Sequence, residues 1–179
     1  MTTSNTKEEI KGTTTTTIQF TIGDCSLGSI LVAQSERGVC SILIGEDPAR
    51  LAQDLRTQFP TANLVDEKGH EELVAQVAGL IEKPGFRLDL PLDVHGTAFQ
   101  RLVWGAVRRI PPGSTASYTE IARQIGVPGA VRAVAQACGA NTLAVAIPCH
   151  RVIRNDGSLS GYRWGVERKR ELLTREAHA

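Results

Sequence analysis

The sequence lacks the features that would place it in a membrane or outside the cell. It contains no apolar run of membrane-spanning length, and its N-terminus is polar and threonine-rich, unlike a signal peptide. Apolar residues make up 41% and charged residues 22% of the 179 residues, as in an ordinary globular protein. We therefore expect a cytoplasmic protein.

Cysteine is sparse and is nowhere arranged as C-x-x-C, which argues against a zinc finger or a thioredoxin-like site. The four cysteines are Cys25, Cys40, Cys138 and Cys149. Free cysteine is among the most buried residue types, so three of them are expected to be small core residues. His70 and His95 have no partner at metal-ligand spacing, and we treat both as structural or surface residues.

The net charge of +1 conceals an uneven distribution. Residues 1–95 carry 8 Lys and Arg against 14 Asp and Glu, giving −6, whereas residues 96–179 carry 12 against 5, giving +7. Basic charge confined to one half is typical of a protein that binds a polyanion. A solvated basic surface without a partner would show the same imbalance.

Composition divides the chain into three segments. Residues 1–17, with "KGTTTTT", are expected to form a disordered tail or linker. Residues 18–92 contain an alternating stretch, "IQFTI", and two β-branched stretches, "SILVAQ" and "VCSILI", on either side of a turn. Helices are predicted from Pro48 and from about Glu71 to Ile81. These features indicate an α/β domain with a small antiparallel sheet.

Residues 93–179 are predicted to form a second, mostly α-helical domain. A helix begins at a capping box of Thr97 and Gln100 and ends before "PPG". Its apolar residues recur at helical spacing and are expected to face the core together with Trp104. They are Phe99, Leu102, Val103, Ala106, Val107 and Ile110.

A helix-turn-helix is predicted next, although helical hairpins that bind no DNA share this pattern. Its first helix starts at a capping box of Ser117 and Glu120. The second helix is expected to turn inward Val131, Val134, Ala135 and Cys138, and to expose Ala130, Ala133, Ala137 and Ala140 with Arg132 and Gln136. Reading bases in the major groove takes several long polar side chains, and this face has two. Any DNA binding should therefore show little sequence preference, with Arg132 long enough to enter the base stack.

The stretch "IPCHRV" places a possible nucleophile, Cys149, beside a possible base, His150. A thiol attacks only as the thiolate, which a base can generate and which Arg151 and Arg154 are expected to favour. Adjacent side chains on an extended segment point to opposite faces, so a bridging water or a turn after Pro148 would have to connect them. An inert structural pair remains the alternative. The carboxylates that could orient the histidine are Glu167, Glu171 and Glu176.

The motifs "GTAFQ", "SYTEIA", "RAV", "PCHRV" and "SGYRWG" occur in an order that resembles the O6-alkylguanine-DNA alkyltransferases, or methylated-DNA–protein-cysteine methyltransferases. The resemblance covers the basic half, extends to the family's N-terminal domain, and is strongest for the C-terminal domain of the bacterial adaptive-response protein. It implies a ribonuclease H-like N-terminal domain and a winged-helix-like C-terminal domain. It also implies DNA repair by direct reversal. The methyl group of O6-methylguanine, or of O4-methylthymine, would move irreversibly to a cysteine, once per molecule.

The resemblance implies catalytic roles for five residues. Cys149 resembles the alkyl acceptor, His150 its base acting through a water, and Glu176 the carboxylate that orients the base. Asn141 is similar to the asparagine that ties the recognition helix to the active-site turn. Tyr118 is similar to the hydroxyl donor to the guanine ring.

Further roles implied by the resemblance concern the substrate pocket and the DNA. The expected pocket residues are Val152, Tyr162, Arg163 and Trp164. Arg163 stands where some relatives carry a guanine-contacting serine, and Trp164 is expected to narrow the pocket so that methyl is accepted and benzyl poorly. The expected DNA contacts are Tyr118, Arg132, Ala133, Gln136 and Arg151, with Arg132 filling the gap left by a flipped nucleotide.

The resemblance implies no cofactor, and its partner would be double-stranded DNA containing alkylated bases. The protein is expected to bind it as a monomer, with little sequence specificity, in the bacterial cytoplasm at the nucleoid. Some family members hold a structural zinc in the N-terminal domain. Cys25 and Cys40 lack the companions for such a site, so no metal is predicted.

Two other functions are compatible with parts of the sequence. A helix-turn-helix regulator without chemistry would prefer one DNA sequence and be unaffected by Cys149→Ala, but the bare second helix argues against it. A cysteine hydrolase would turn over small esters or peptides repeatedly, but no Asn-His pair with an oxyanion context is visible.

Overall fold

The computed structural model of the protein describes residues 15–179. Within this range the chain forms six strands, six α-helices and one 3-10 turn. In chain order they are β1 (Thr17–Cys25), β2 (Gly28–Ser35), β3 (Gly38–Gly45), α1 (Pro48–Gln58), β4 (Asn63–Asp66), α2 (Glu71–Glu82), α3 (Ala98–Val107), β5 (Ala116–Ser117), α4 (Tyr118–Gln124), α5 (Val131–Gly139), the 3-10 turn (Cys149–Arg151), β6 (Val152–Ile153) and α6 (Val166–Ala177).

The predicted disordered tail, residues 1–17, lies outside the described residues except at its end. There the chain enters the sheet earlier than predicted, because Thr17 already belongs to β1. No helix in the described part of the chain is both long and apolar enough to cross a membrane.

The first half is built on a four-stranded sheet with the strand order β3-β2-β1-β4. The predicted hairpin is confirmed, since β2 pairs antiparallel with β3, and β1 is antiparallel to β2. The edge strand β4 runs parallel to β1, with Leu64 opposite Ile18. The sheet is therefore mixed, and the prediction of an antiparallel sheet is wrong at this edge. The crossover through α1 allows the parallel pairing.

The two helices of the first half pack on the sheet. α1 contacts β2 and β3, and α2 contacts β1 and β2. α1 starts where the Asp47 carboxylate accepts the N–H of Ala49 at 2.9 Å. α2 lies so close to β1 that a Cβ on Gly23 would stand 2.7 Å from the Val74 side chain. Both predicted helices are thus present and pack on the sheet.

In the second half, α3, α4 and α5 pack against one another. Both predicted capping boxes are confirmed: Gln100 N–H donates to Thr97 Oγ1 at 3.1 Å, and Glu120 N–H donates to Ser117 Oγ at 3.1 Å. β5 pairs with β6, which places the start of α4 directly beside the segment that follows the 3-10 turn.

The apolar stripe of α3 is only partly buried. Val103 and Val107 are buried as predicted, but the side chain of Leu102 is 51% exposed, so its assignment to the core is wrong. Trp104 explains the difference: it is buried and donates its indole N–H to the Ala137 carbonyl at 2.8 Å. Residues two apart on a helix point about 200° apart, so Leu102 turns to the surface.

Candidate active site

The segment between α5 and Cys149 is a tight turn held by Asn141. This side chain is fully buried, donates to the Ile147 carbonyl at 2.9 Å, and accepts the N–H of Leu143 at 2.9 Å. Within the turn Val145 has φ 59°, a left-handed conformation that β-branched residues rarely adopt. The Asn141 hydrogen bonds hold this strained backbone in place. The catalytic assignment of Asn141 stays a prediction.

The sheet supports the same turn from the other side. The N–H of Ile42 in β3 donates to the Thr142 carbonyl at 2.8 Å, and the N–H of Ala144 donates to the Ile42 carbonyl at 3.1 Å. The first half of the chain therefore contributes directly to the position of Cys149.

Cys149 and His150 begin the 3-10 turn that follows Pro148. Both side chains are buried, with Cys149 3% and His150 1% exposed. His150 Nε2 lies 2.8 Å from Glu176 Oε1, and its Nδ1 is buried without a hydrogen-bond partner among the described residues. A carboxylate at Nε2 favours the tautomer with the proton there, which leaves the Nδ1 lone pair free as a base.

The protonation states suit this arrangement. Burial lowers the pKa of His150 despite the hydrogen bond to Glu176, so the imidazole is neutral at pH 7. Burial alone would raise the pKa of Glu176, but the hydrogen bonds from His150 and Arg151 outweigh it and lower the pKa to about 2. The site therefore holds a neutral base beside a permanent carboxylate.

Arg151 belongs to this network and not to the surface. Its guanidinium donates to Glu176 Oε1 at 2.7 Å and to the Ile110 carbonyl at 2.7 Å, and the side chain is 13% exposed. Contact with a phosphate would compete with these bonds. The predicted DNA contact of Arg151 stays a prediction, whereas its part in holding Glu176 is visible in the geometry.

The surroundings of Cys149 differ from the predicted ones. The neighbouring Cys138 thiol and burial raise the pKa of the Cys149 thiol, so the resting group is protonated. The groups that oppose this rise are the Asn141 amide and the Lys169 ammonium. The predicted support from Arg151 and Arg154 is not seen, because the first is held by Glu176 and the second is exposed.

Lys169, whose side chain is fully buried, was not among the predicted site residues. Its Nζ donates to the Val152 carbonyl at 2.7 Å and to Ser160 Oγ at 3.1 Å, and Ser160 Oγ is hydrogen-bonded to the Tyr118 hydroxyl. A lysine within "ERKRELL" resembles a solvated helix residue. Its helical spacing was the available signal, since Lys169 shares a face of α6 with the buried Leu172.

Aromatic rings form one wall of the site. Tyr162 stands edge-on to His150 with ring centroids 6.5 Å apart, and to Trp164 at 5.2 Å. The Tyr162 hydroxyl is buried without a hydrogen-bond partner in the described part of the chain, and burial raises the pKa of this phenol. Trp164 is 7% exposed, whereas Arg163 is exposed and borders a groove of about 360 Å³ against α1. Tyr162 thus stands beside His150, and Trp164 stands beside Tyr162, while Val152 is buried directly after the 3-10 turn. The assignment of these three residues and Arg163 to the substrate pocket stays a prediction.

The outer face of α5 carries as few long polar side chains as predicted, but the exposed face is rotated about the helix axis relative to the prediction. Arg132 and Gln136 are exposed, and Ala133 is half-buried. Ala135, predicted to face inward, is exposed, and Ala137, predicted to face outward, is 2% exposed. The Ala137 carbonyl accepts the Trp104 indole N–H, which fixes that side of the helix against α3. The observed orientation of α5 adds no long polar side chain to its exposed face.

Known proteins that are similar to this chain support the interpretation of Cys149, His150 and Glu176 as a reactive site. The family model described as "6-O-methylguanine DNA methyltransferase, DNA binding domain" matches residues 98–178. The bifunctional transcriptional activator/DNA repair enzyme Ada of Escherichia coli (strain K12) is 53% identical over 161 residues, 89% of this chain and 46% of that relative. The inducible methylated-DNA–protein-cysteine methyltransferase of Bacillus subtilis (strain 168) is 43% identical over 125 residues, 69% of this chain and 70% of that relative.

Solved structures with a similar fold point to the same family. The crystal structure of Mycobacterium tuberculosis OGT in complex with DNA matches with a TM-score of 0.74 and 36% identity, covering 89% of this chain and 93% of that one. The present chain spans about half the length of the E. coli relative. A buried Cys-His-Glu arrangement and these matches together lead to one conclusion: the chain belongs to the methylated-DNA–protein-cysteine methyltransferase family.

Proposed function

We propose that the protein repairs DNA by moving the methyl group of O6-methylguanine, and of O4-methylthymine, irreversibly to Cys149. The observation that carries this proposal is the buried thiol beside a neutral histidine whose Nε2 faces Glu176 and whose Nδ1 is free. That is the arrangement of an activated nucleophile, its base and the group that orients the base.

The chemistry follows from these positions. His150 Nδ1 takes the thiol proton of Cys149 through a water, and Glu176 stabilises the imidazolium that forms. The thiolate then attacks the methyl carbon, the bond between that carbon and O6 breaks, and the electron pair remains on the guanine. Tyr118 donates a proton to the departing base. The resulting thioether is a poor electrophile, so each molecule reacts once.

The DNA would be bound through α5 and the basic surface of the second half. A methyl group on O6 lies inside the duplex, so the nucleotide must leave the base stack. The exposed Arg132 near the start of α5 would fill the gap, with Ala133 and Gln136 near the sugar-phosphate surface. Because α5 offers few base-reading side chains, the protein would bind double-stranded DNA with little sequence preference.

The wider organisation belongs to the same proposal. Residues 18–92 would form a ribonuclease H-like domain and residues 93–179 a winged-helix-like alkyltransferase domain. The protein would act as a monomer without cofactor, in the bacterial cytoplasm at the nucleoid.

The test uses a duplex with a single O6-methylguanine and peptide mass spectrometry. The Cys149 peptide should gain one methyl group, the lesion should become guanine, and Cys149→Ala should abolish both changes. Cys138→Ala is the matched control, because it removes the neighbouring thiol but keeps the acceptor, so one methyl group per chain should still reach Cys149. An unmodified Cys149 peptide with the lesion still in the DNA would refute the proposal. Sequence-selective binding that is unchanged by Cys149→Ala would instead support a regulator without chemistry.

A further inference from the structure

Arg168, in the first turn of α6, connects the sheet of the first half to Trp164. Its Nε donates to the Leu27 carbonyl, in the turn between β1 and β2, at 2.8 Å. Its Nη1 donates to the Trp164 carbonyl at 3.0 Å. Its Nη2 forms an ion pair with Glu46, directly after β3. Each nitrogen of the half-buried guanidinium thus has a different acceptor, and two of the three acceptors belong to the first half.

The guanidinium fits closely against the turn between β1 and β2. A Cβ on Gly28 would stand 3.2 Å from Arg168 Nη2 and 2.7 Å from the Gly45 carbonyl oxygen. Gly28 also has φ 116°, a conformation that glycine adopts readily and other residues rarely do. The donors of a guanidinium form a rigid planar fork. Arg168 therefore holds the Trp164 carbonyl at a fixed position relative to the Leu27 carbonyl.

Trp164 lies in a segment that depends on such side-chain contacts. Between β6, which ends at Ile153, and α6, which begins at Val166, the described chain forms no helix or strand. The Trp164 ring stands edge-on to Tyr162, and Trp164 borders the groove against α1. The hydrogen bond from Arg168 thus fixes the backbone that carries one wall of the expected pocket.

A second arginine of α6 contacts the same turn but bonds elsewhere. Arg175 Nη1 donates to Ser26 Oγ at 2.7 Å, and Arg175 Nε donates to Glu171 Oε1 at 2.8 Å. Arg175 lies two helical turns beyond Arg168 and also links α6 to the first half. The link through Arg175 would remain if Arg168 were replaced, so the hold on α6 and the hold on Trp164 can be tested separately.

We propose that Arg168 sets the width of the alkyl pocket by fixing Trp164 against the first half of the chain, an inference that rests on the proposed function. The Leu27 carbonyl anchors the guanidinium on the sheet, and the guanidinium anchors the backbone of Trp164. The Trp164 ring then stays beside Tyr162, which stands beside His150. A methyl group reaches Cys149 past this wall, whereas a benzyl group requires the wall to move. Arg168 acts through Trp164 and is a positioning residue.

Two substrates of different size test this role. Arg168→Met removes every donor of the guanidinium and releases the Trp164 carbonyl. Inactivation by free O6-benzylguanine should become about tenfold faster, while single-turnover transfer from methylated duplex should stay within about twofold of wild type. The readout is the ratio of the benzyl rate to the methyl rate, because a general loss of folded protein would lower both rates and leave their ratio unchanged.

Three further variants separate the two carbonyl bonds from charge and from helix docking. Glu46→Gln removes the ion pair but keeps both carbonyl bonds, and the Glu46 side chain is 84% exposed, so the ratio should not change. Arg175→Gln removes the other link to the turn and should also leave the ratio unchanged. Arg168→Lys keeps the charge but loses the planar fork, so it should raise the ratio even if Arg168→Met does not fold.

A double variant tests whether Arg168 acts through Trp164. Adding Arg168→Met to Trp164→Gly should change the benzyl rate by no more than about twofold, because the wall that Arg168 holds is already missing. A further rise of about tenfold in the double variant would show that the two residues act independently, and it would overturn the role of Arg168.

The remaining outcomes distinguish this role from the function on which it rests. If neither Arg168→Met nor Arg168→Lys raises the ratio, while wild type repairs the methylated duplex, the role of Arg168 is wrong and methyl transfer stands. The same conclusion follows if Glu46→Gln or Arg175→Gln raises the ratio as much as the Arg168 variants do. If wild type leaves the methylated duplex unrepaired, the proposed function is overturned and the role of Arg168 with it.

Discussion

Replacing Glu176 by glutamine should reveal the buried network through the pH dependence of stability. The carboxylate accepts hydrogen bonds from His150 and Arg151, and its pKa falls from 4.5 to about 2 in the folded protein. One pKa unit corresponds to about 1.4 kcal/mol, so the charged group stabilises the fold by about 3 kcal/mol at pH 7. Glu176→Gln should lower the free energy of unfolding by roughly that amount, since it leaves Arg151 without its counter-charge.

The sign of the pH effect follows from the lowered pKa. A carboxyl whose folded pKa is depressed stabilises the fold above its unfolded pKa, and this stability is lost as the pH falls toward the folded value. Between pH 7 and about pH 3.5, wild type should lose about 1.4 kcal/mol from Glu176, whereas Glu176→Gln loses nothing there. Urea unfolding of both proteins across this pH range measures how the difference between their free energies of unfolding narrows. A difference in free energy of unfolding that stays constant or widens on acidification would refute the reasoning.

Glu171→Gln provides the matched control on the same helix. Glu171 accepts a hydrogen bond from Arg175 Nε at 2.8 Å, but its side chain is 48% exposed. An exposed ion pair contributes less than about 1 kcal/mol, so this variant should unfold almost as wild type does at every pH. A loss comparable to that of Glu176→Gln would show that helix charge, and not the buried network, sets the effect.

Three further predictions concern the pocket, the DNA and the turn. Trp164→Gly should speed inactivation by free O6-benzylguanine at least about tenfold, and rapid inactivation of wild type would show that Trp164 does not narrow the pocket. Arg132→Ala should slow repair of duplex DNA at least about tenfold while leaving methylation of Cys149 by methyl iodide unchanged; equal losses in both assays would contradict a role in nucleotide flipping. Asn141→Ala removes buried hydrogen bonds to the turn and should cost about 2–4 kcal/mol in urea unfolding, and a loss below about 0.5 kcal/mol would show that the turn holds its strained backbone without Asn141.

Local sequence signals were sufficient for much of the fold. The capping boxes at Thr97 and Ser117 start helices where predicted, because a side chain three residues on completes each box within one turn of chain. Strand β4 has no such local signal: four residues with polar ends pair only because α1 returns the chain beside β1. The exposed Leu102 likewise depends on how α3 packs, which the helical period alone does not specify.

The site was predictable where chemistry and motif coincide. Cys149 and His150 are adjacent in the sequence, and the resemblance supplied Glu176, which the structure places 2.8 Å from the histidine. The environment of the thiol was not predictable. Lys169 becomes a buried cation, and Arg151 a buried partner of a carboxylate, only through contacts between segments distant in the chain.

Stoichiometric titration tests the central claim, that Cys149 is the irreversible acceptor, most directly. A fixed amount of protein is mixed with increasing amounts of duplex containing O6-methylguanine, and repaired lesions and methylated Cys149 are counted in the same samples. We expect both counts to rise together and stop at one per protein chain, with no methyl on Cys138. Continued repair beyond one lesion per chain, or repair without methyl on Cys149, would contradict the account.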